Sequence, residues 1–199
     1  MKIAITYSKC QNLKIARFGD NMRNVADTEG DKVAALRKFG WTINYFGIGD
    51  LVEKIQNVSN QEVQALLEEY KEVYQIGSTD LSSDHKMQAI TYQARVELAL
   101  KDFLKEGNYD AFTTNFEDLH GLKQLPGLAV QRLMASGYGF AAEGDWETAA
   151  LTYLLKSIAK NKSTSFIEFY TYHLDPTNEL ILGSHMLEVC PTISDGTPR

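Results

Sequence analysis

The hydrophobic pattern divides most of the chain into alternating short and long apolar segments. Short runs rich in β-branched and aromatic residues predict strands at residues 13–18, 41–46, 109–114 and 138–142. Apolar residues at helical spacing predict helices at residues 31–39, 49–56, 61–74, from Ser82 or Ser83 to about 104, 126–133 and 146–160. Alternating strands and helices are typical of a parallel sheet, so the fold class is α/β with a Rossmann-like parallel sheet.

Two segments depart from this alternation. Residues 1–12 alternate well enough in hydrophobicity to predict one more strand. Beyond residue 163, two strands at 165–173 and 180–189 follow each other directly, joined by a turn at Asp175–Asn178. We therefore expect a domain change near Ser163, with residues 1–162 and 163–199 in different domains.

Three ionisable residues stand in the mostly apolar runs of the last third of the chain. Alternation places Glu168 on the same strand face as Phe166 and Tyr170, and neither face of that strand looks suited to solvent. In the next strand, alternation places His185 on the apolar face and Glu188 on the opposite one. A carboxylate removed from water costs several kcal/mol unless it meets a cation or hydrogen-bond donors, so these residues need partners.

Glu143 ends the predicted strand at 138–142, and Asp145 then suits the N-cap of a helix that begins at Trp146. In open α/β sheets, ligands bind beyond the carboxyl ends of the strands, which is where Glu143 is expected. Two carboxylates and an imidazole suit Mn²⁺, Mg²⁺, Fe²⁺ or Co²⁺ better than a structural zinc ion. From spacing alone, a satisfied core histidine with two paired acids explains the same residues.

Other residues are weaker candidates. Glu117, Asp118 and His120 follow the predicted strand at 109–114 and could belong to a site or to a structural loop. Cys190 has no evident base partner and is not expected to be a nucleophile. Glu68 and Glu69 fit the solvated face of a helix.

Composition excludes several classes of protein. With 44% hydrophobic and 23% charged residues, the chain is an ordinary globular protein. A formal charge of −6 provides no basic surface for nucleic acid or an anionic membrane. The sequence contains neither a bilayer-spanning apolar run nor a signal peptide, and its two cysteines do not form a disulfide framework, so we expect a cytoplasmic protein.

Several long segments resemble the L-arabinose isomerase family, in order and over nearly the whole chain. The first three are ARFGDNMRNVA at 16–26, EGDKVAA at 29–35 and AFTTNFEDLHGLKQLPGLAVQRLM at 111–134. The other three, FAAEGDWETAA at 140–150, TSFIEFYTYH at 164–173 and LGSHMLEVCP at 182–191, resemble the consecutive metal-site motifs of that family.

The resemblance implies a central α/β domain followed by the first strands of a β-rich C-terminal domain, truncated in this chain. It implies an Mn²⁺-dependent aldose–ketose isomerase that interconverts L-arabinose and L-ribulose through an enediol, in a homo-hexamer. Matched position by position, Glu143, Glu168 and His185 correspond to metal ligands, and the two glutamates also to the pair that moves the proton. Met22 and Phe116 correspond to residues that line the sugar pocket.

The chain departs from the family pattern at both ends. The resemblance places a further histidine ligand beyond Arg199 and makes Met1 internal to a longer sequence, with residues 1–12 at the end of a helix. We therefore expect weak metal binding and little turnover from this chain alone. A non-catalytic fragment or oligomerisation module, and an isomerase of a related sugar such as L-fucose or D-galactose, remain alternatives.

Overall fold

The computed structural model describes residues 2–77, 84–160 and 164–196. The strands are β1 (Lys14–Phe18), β2 (Thr42–Phe46), β3 (Ala111–Thr114), β4 (Gly139–Ala141), β5 (Glu168–His173) and β6 (Leu180–Ser184). The helices are α1 (Lys2–Cys10), α2 (Lys32–Phe39), α3 (Ile48–Asn57), α4 (Asn60–Val73), α5 (Asp84–Gly107), α6 (Gly127–Ala135) and α7 (Trp146–Ala159). Single 3₁₀ turns lie at Ala26–Thr28, Phe116–Asp118 and Pro191–Ile193.

Strands β1 to β4 form one parallel sheet in the order β2-β1-β3-β4. The residues of β3 and β4 are buried throughout, as expected for parallel strands covered on both faces. Only β2, at one edge, has exposed positions along its length. This arrangement confirms the predicted α/β class.

The strand order creates a switch point between β1 and β3. From β1 the chain crosses to β2 on one side, and from β3 it crosses to β4 on the other. Right-handed crossovers therefore place the connecting helices on opposite faces of the sheet. The loops that follow β1, β3 and β4 meet at the carboxyl edge beside this point, where α/β proteins bind ligands.

Helix ends agree closely with the local signals. The Asp31 side chain accepts a hydrogen bond from the first turn of α2, and Gly40 ends that helix in the left-handed conformation. Asp145 caps α7 by accepting the N–H of Thr148. The predicted caps of α5, Ser82 and Ser83, lie outside the described residues. In the described ranges, no helix is long and apolar enough to cross a membrane.

The strand predicted at residues 1–12 is wrong, because Lys2–Cys10 forms helix α1. This helix packs along α7, and the Cys10 carbonyl accepts the indole N–H of Trp41 at 2.6 Å. In a run this short, hydrophobic alternation does not distinguish a strand from a helix. Packing against α7 selects the helix, in agreement with what the family resemblance implies.

Beyond the central sheet, β5 and β6 form an antiparallel hairpin with an irregular register at Phe169–Thr171. The predicted turn is confirmed, since the Asn178 N–H donates to the Asp175 carbonyl at 3.0 Å. The expectation that neither face of β5 meets solvent is wrong here, because Phe169 is 63% exposed and Tyr172 is 56% exposed. A pair of strands has no second layer of its own, and none of the described elements covers these side chains.

Candidate active site

Glu143 lies in a tight turn between β4 and α7. Its own φ is 63° and that of Gly144 is 77°, so two successive residues are left-handed. The Glu143 carbonyl accepts the N–H of Met22 at 2.8 Å, and the Gly144 N–H donates to the Thr114 carbonyl at 3.1 Å. These bonds tie the turn to the loop after β1 and to the end of β3. A left-handed glutamate costs about 1–3 kcal/mol, so it persists only where its surroundings hold it.

Glu143, Glu168 and His185 line the same cavity, which has a volume of about 300 Å³. Glu143 comes from the carboxyl edge of the central sheet, and Glu168 begins β5. The remaining wall is mostly apolar and includes Leu119, Leu125, Pro126, Tyr170, Met186 and Leu187. The structure thus gathers the three residues singled out in the sequence within one small, mostly apolar space.

The charge of Glu168 acts on Glu143 across this cavity. Burial raises the pKa of Glu143, and the negative charge of Glu168 raises it further, while His185 opposes this effect. Glu143 therefore holds its proton to a higher pH than an exposed glutamate does. A cation placed between the carboxylates would remove this repulsion and favour the ionised form.

His185 is oriented by Glu188, a residue that alternation placed on the opposite face. The strand predicted at 180–189 ends at Ser184, and a turn follows it. In this turn, Oε2 of Glu188 lies 2.7 Å from Nδ1 of His185. The two side chains form an ion pair when His185 is protonated. Burial lowers the pKa of His185, but Glu188 and the charges of Glu168 and Glu143 together raise it, so the net shift is upward.

The only sequence signal for the pairing of His185 and Glu188 was their i,i+3 spacing. In a strand, residues three apart point to opposite faces, so this spacing allows a contact only because the strand ends before His185. The His185 ring also packs against Phe166, with ring centroids 4.9 Å apart. Because Nδ1 is buried against Glu188, Nε2 is the nitrogen left for a ligand. Carboxylates that orient metal-binding imidazoles in this way are common beside metal sites.

These residues fit a divalent metal in chemistry but are not assembled as a metal site. Within residues 2–77, 84–160 and 164–196, no three His, Cys, Asp or Glu side chains lie close enough to hold one ion. The donor set of two carboxylates and one imidazole suits Mn²⁺. The mutual repulsion of Glu143 and Glu168 is what a divalent cation would relieve.

Phe116 and Met22, the residues matched to a sugar pocket, lie on either side of the Glu143 turn. Phe116 lines the cavity and is 51% exposed. Met22 lines a neighbouring surface depression of about 390 Å³, together with Asp20 and Asp118. The hydrogen bond from its N–H to Glu143 joins this depression to the turn.

Glu117, Asp118 and His120 do not line the cavity. Asp118 Oδ2 accepts the N–H of Asp20 at 2.8 Å, and Glu117 Oε2 accepts the N–H of Arg23 at 2.8 Å. His120 is exposed in the loop that follows. The two acids therefore hold the loop after β1 in place, as the structural interpretation of these residues predicted.

Cys190 is fully buried and lies outside the cavity. Its sulfur is 3.4 Å from Lys156 Nζ and 3.1 Å from the Thr192 hydroxyl oxygen. The Cys190 N–H donates to the Ser165 hydroxyl at 2.8 Å. These contacts join the segment after β6 to α7 and to the approach to β5.

Comparison with known proteins gives a consistent result over the whole chain. Residues 14–161 match the family model of the L-arabinose isomerase central domain. Residues 163–199 match the model of the L-arabinose isomerase C-terminal domain.

The curated relatives agree. The chain is 61% identical over 199 residues to the L-arabinose isomerase of Geobacillus stearothermophilus and 62% identical to that of Halalkalibacterium halodurans. L-arabinose isomerase 2 of Bacillus licheniformis is 55% identical. Each match covers 100% of this chain but only 40–42% of the relative, so the chain spans about two fifths of their length. On these matches, the chain belongs to the L-arabinose isomerase family.

Proposed function

We propose that this chain provides the central part of an Mn²⁺-dependent aldose–ketose isomerase that converts L-arabinose to L-ribulose. The observation that carries the proposal is the cavity that Glu143, Glu168 and His185 all line. The choice of sugar follows from the relatives, which are L-arabinose isomerases. The donor types supply the preference for a hard divalent ion.

The two glutamates are suited to move a proton. Isomerisation removes a proton from the carbon beside the carbonyl, passes through an enediol, and returns the proton to the neighbouring carbon. A carboxylate does this best when its pKa lies close to the working pH. Burial and the charge of Glu168 shift the pKa of Glu143 in that direction.

His185 and the apolar wall have supporting roles. Glu188 fixes the imidazole through Nδ1, leaving Nε2 to hold a metal together with Glu143 and Glu168. A bound Mn²⁺ supplies charge that polarises the sugar oxygens and stabilises the developing negative charge. Phe116, Tyr170 and their apolar neighbours form most of the cavity wall beside the proposed ligands.

A second candidate function is that of a non-catalytic fragment. The absence of three clustered ligands among the described residues favours it for the chain in isolation. The chain also spans only 40% of the Geobacillus relative, so the rest of a site can come from sequence outside it. We therefore propose that the isolated chain binds Mn²⁺ weakly and has little turnover, and that activity belongs to the complete protein.

We also propose that the complete protein is a homo-oligomer. The side chains of Leu151, Leu155 and Ile158 recur at helical spacing along α7 and are 45–54% exposed. Phe169 and Leu182 of the hairpin are 63% and 56% exposed. Apolar surfaces of this kind are common where another protein surface packs.

The melting temperature of the chain with and without excess Mn²⁺ tests the metal site. Mn²⁺ at about 100 times its dissociation constant stabilises a protein by about 2.7 kcal/mol, on the order of 5–10 °C for this chain length. We expect the shift in the parent chain and its loss in Glu168→Gln. Glu106→Gln, which removes an exposed pair with Lys54, is the matched control and keeps the shift.

Turnover separates the two candidate functions. L-ribulose formed from L-arabinose and Mn²⁺ by this chain alone would contradict the fragment proposal. If a complete protein carrying this sequence is inactive on L-arabinose, the isomerase proposal fails. Its relative rates on L-arabinose, D-galactose and L-fucose identify the preferred sugar.

A further inference from the structure

The loop after β1, residues 20–23, is held by the two acids that follow β3. Asp118 Oδ2 accepts the Asp20 N–H at 2.8 Å, and Glu117 Oε2 accepts the Arg23 N–H at 2.8 Å. Glu117 Oε2 is also 3.3 Å from Arg23 Nε, although that side chain is 67% exposed and adds little. Each end of the loop therefore has a backbone bond to a carboxylate.

Between these two bonds lies the contact with the active-site turn. The Met22 N–H donates to the carbonyl of Glu143 at 2.8 Å. Glu143 is the left-handed residue of that turn, and its conformation depends on the contacts that surround it. A displacement of the loop would remove the hydrogen-bond donor to the Glu143 carbonyl.

The packing around the loop leaves it little room to move. A Cβ at Gly19 would lie 2.9 Å from Asp118 Cβ, and one at Gly144 would lie 2.5 Å from the Asp20 carbonyl oxygen. The buried side chain of Arg17, in β1, donates a hydrogen bond to Asp20 Oδ1 at 2.6 Å. The acids thus act on a loop that already fits closely against both neighbouring turns.

We propose that Glu117 and Asp118 are positioning residues that hold the loop after β1 against the Glu143 peptide and so set the direction of the Glu143 carboxylate. Neither side chain lines the cavity, so both act through the backbone of residues 20–23. The importance of Glu143 rests on the function proposed above, whereas the coupling between the loops is a property of the fold.

Amide hydrogen exchange at Asp20, Met22 and Arg23, together with Mn²⁺ affinity, tests this proposal. In Glu117→Ala and Asp118→Ala we expect exchange at Met22 to rise about tenfold, the loss typical of one hydrogen bond to a charged group. Mn²⁺ binding weakens in parallel. Glu106→Gln, which removes a surface ion pair, changes neither measurement.

The conservative variants Glu117→Gln and Asp118→Asn keep an oxygen that accepts the same N–H. Hydrogen bonds to a charged acceptor are roughly twice as strong as neutral ones, so the increase at Met22 is smaller than in the alanine variants. If an alanine variant does not fold, the double variant Glu117→Gln, Asp118→Asn replaces it. An unchanged exchange rate of the Met22 amide in that double variant overturns the proposal.

Faster exchange at Asp20 and Arg23 with no change at Met22 also overturns it, because each acid would then hold only its own contact. If the parent chain itself binds no Mn²⁺, the proposal that the isolated chain binds this ion weakly fails. The exchange measurements still decide whether the two acids position the Glu143 peptide.

Discussion

At the scale of single residues, the site depends on contacts that hold the Glu143 turn and the His185 ring. Glu143 adopts a backbone conformation unusual for glutamate, and its carbonyl is held by Met22. His185 meets Glu188 on one side and Phe166 on another. Neighbouring residues thus hold both the backbone of Glu143 and the ring of His185.

Glu188→Gln should weaken Mn²⁺ binding while leaving the fold intact. The amide removes the charge that faces His185 Nδ1, and the loss of such a partner typically costs 10–100-fold in metal affinity. We expect a loss of about tenfold, the low end of that range, because glutamine retains a polar contact. Titration with Mn²⁺ measures it, with the exposed Glu179→Gln as control. Equal affinity in both variants would refute the positioning of His185 by Glu188.

Gly144→Ala should destabilise the chain. The left-handed conformation costs a non-glycine residue about 1–2 kcal/mol, and here the new Cβ would also lie 2.5 Å from the Asp20 carbonyl oxygen. Gly49→Ala is the matched control, because its Cβ meets nothing within 4 Å in helix α3. We expect the control to gain about 0.5–1 kcal/mol. Urea unfolding that shows equal changes in both variants would contradict this account.

At the scale of elements, stability depends strongly on how each helix begins and ends. Helix α4 begins with a capping box, in which the Ser59 hydroxyl accepts the Glu62 N–H and Glu62 accepts the Ser59 N–H at 3.1 Å. Hydrogen bonds from the Ser59 side chain and then its backbone lower the pKa of Glu62. This capping box was not predicted from the sequence, although Ser59 and Glu62 lie only three residues apart.

Ser59→Ala should lower the free energy of unfolding by about 1 kcal/mol at neutral pH. The pKa of Glu62 is depressed in the folded state, so its contribution is present above the ordinary pKa of glutamate and lost as the pH falls through the folded value. The difference between parent and variant therefore shrinks in acid. Urea titrations at neutral and acidic pH measure it, with Glu53→Gln on α3 as control. A difference that stays constant with pH would contradict the role of Glu62.

At the scale of the whole molecule, burial divides the chain into two unequal parts. The parallel sheet lies within one large core that includes Ile15, Phe112 and Phe140, all 0% exposed. The β5–β6 hairpin projects apolar side chains into solvent, and a two-stranded sheet is marginally stable by itself. The two parts therefore differ in how readily they open.

Amides of β5 and β6 should exchange much faster than those of β1 and β3. Exchange from the core strands requires global unfolding, whereas the hairpin can open locally. Hydrogen exchange of the isolated chain, followed by mass spectrometry or NMR, measures both parts together. Equal protection of the two sheets would contradict this expectation and would indicate that another surface covers the hairpin in solution. Sedimentation of the same sample is the control, because it shows whether the chain self-associates.

The α/β class and the order of strands and helices in the central domain followed from the sequence alone. Buried parallel strands such as β3 are short apolar runs, and caps such as Asp145 are local signals. The segment Lys2–Cys10 was not determined in this way, because its short alternation fits either structure. Its contact with α7, distant in sequence, decided in favour of the helix.

The candidate site, like the fold, was determined partly by the sequence and partly by the tertiary structure. The sequence by itself determined which acids and which imidazole need partners, since Glu143, Glu168 and His185 stand in apolar runs. Only the tertiary structure decided that they share a cavity, that Glu188 turns toward His185, and that Glu117 and Asp118 hold the neighbouring loop. The physical reason is that local patterns specify a residue's element and burial, whereas contacts between strand ends depend on sheet order and on where each strand stops.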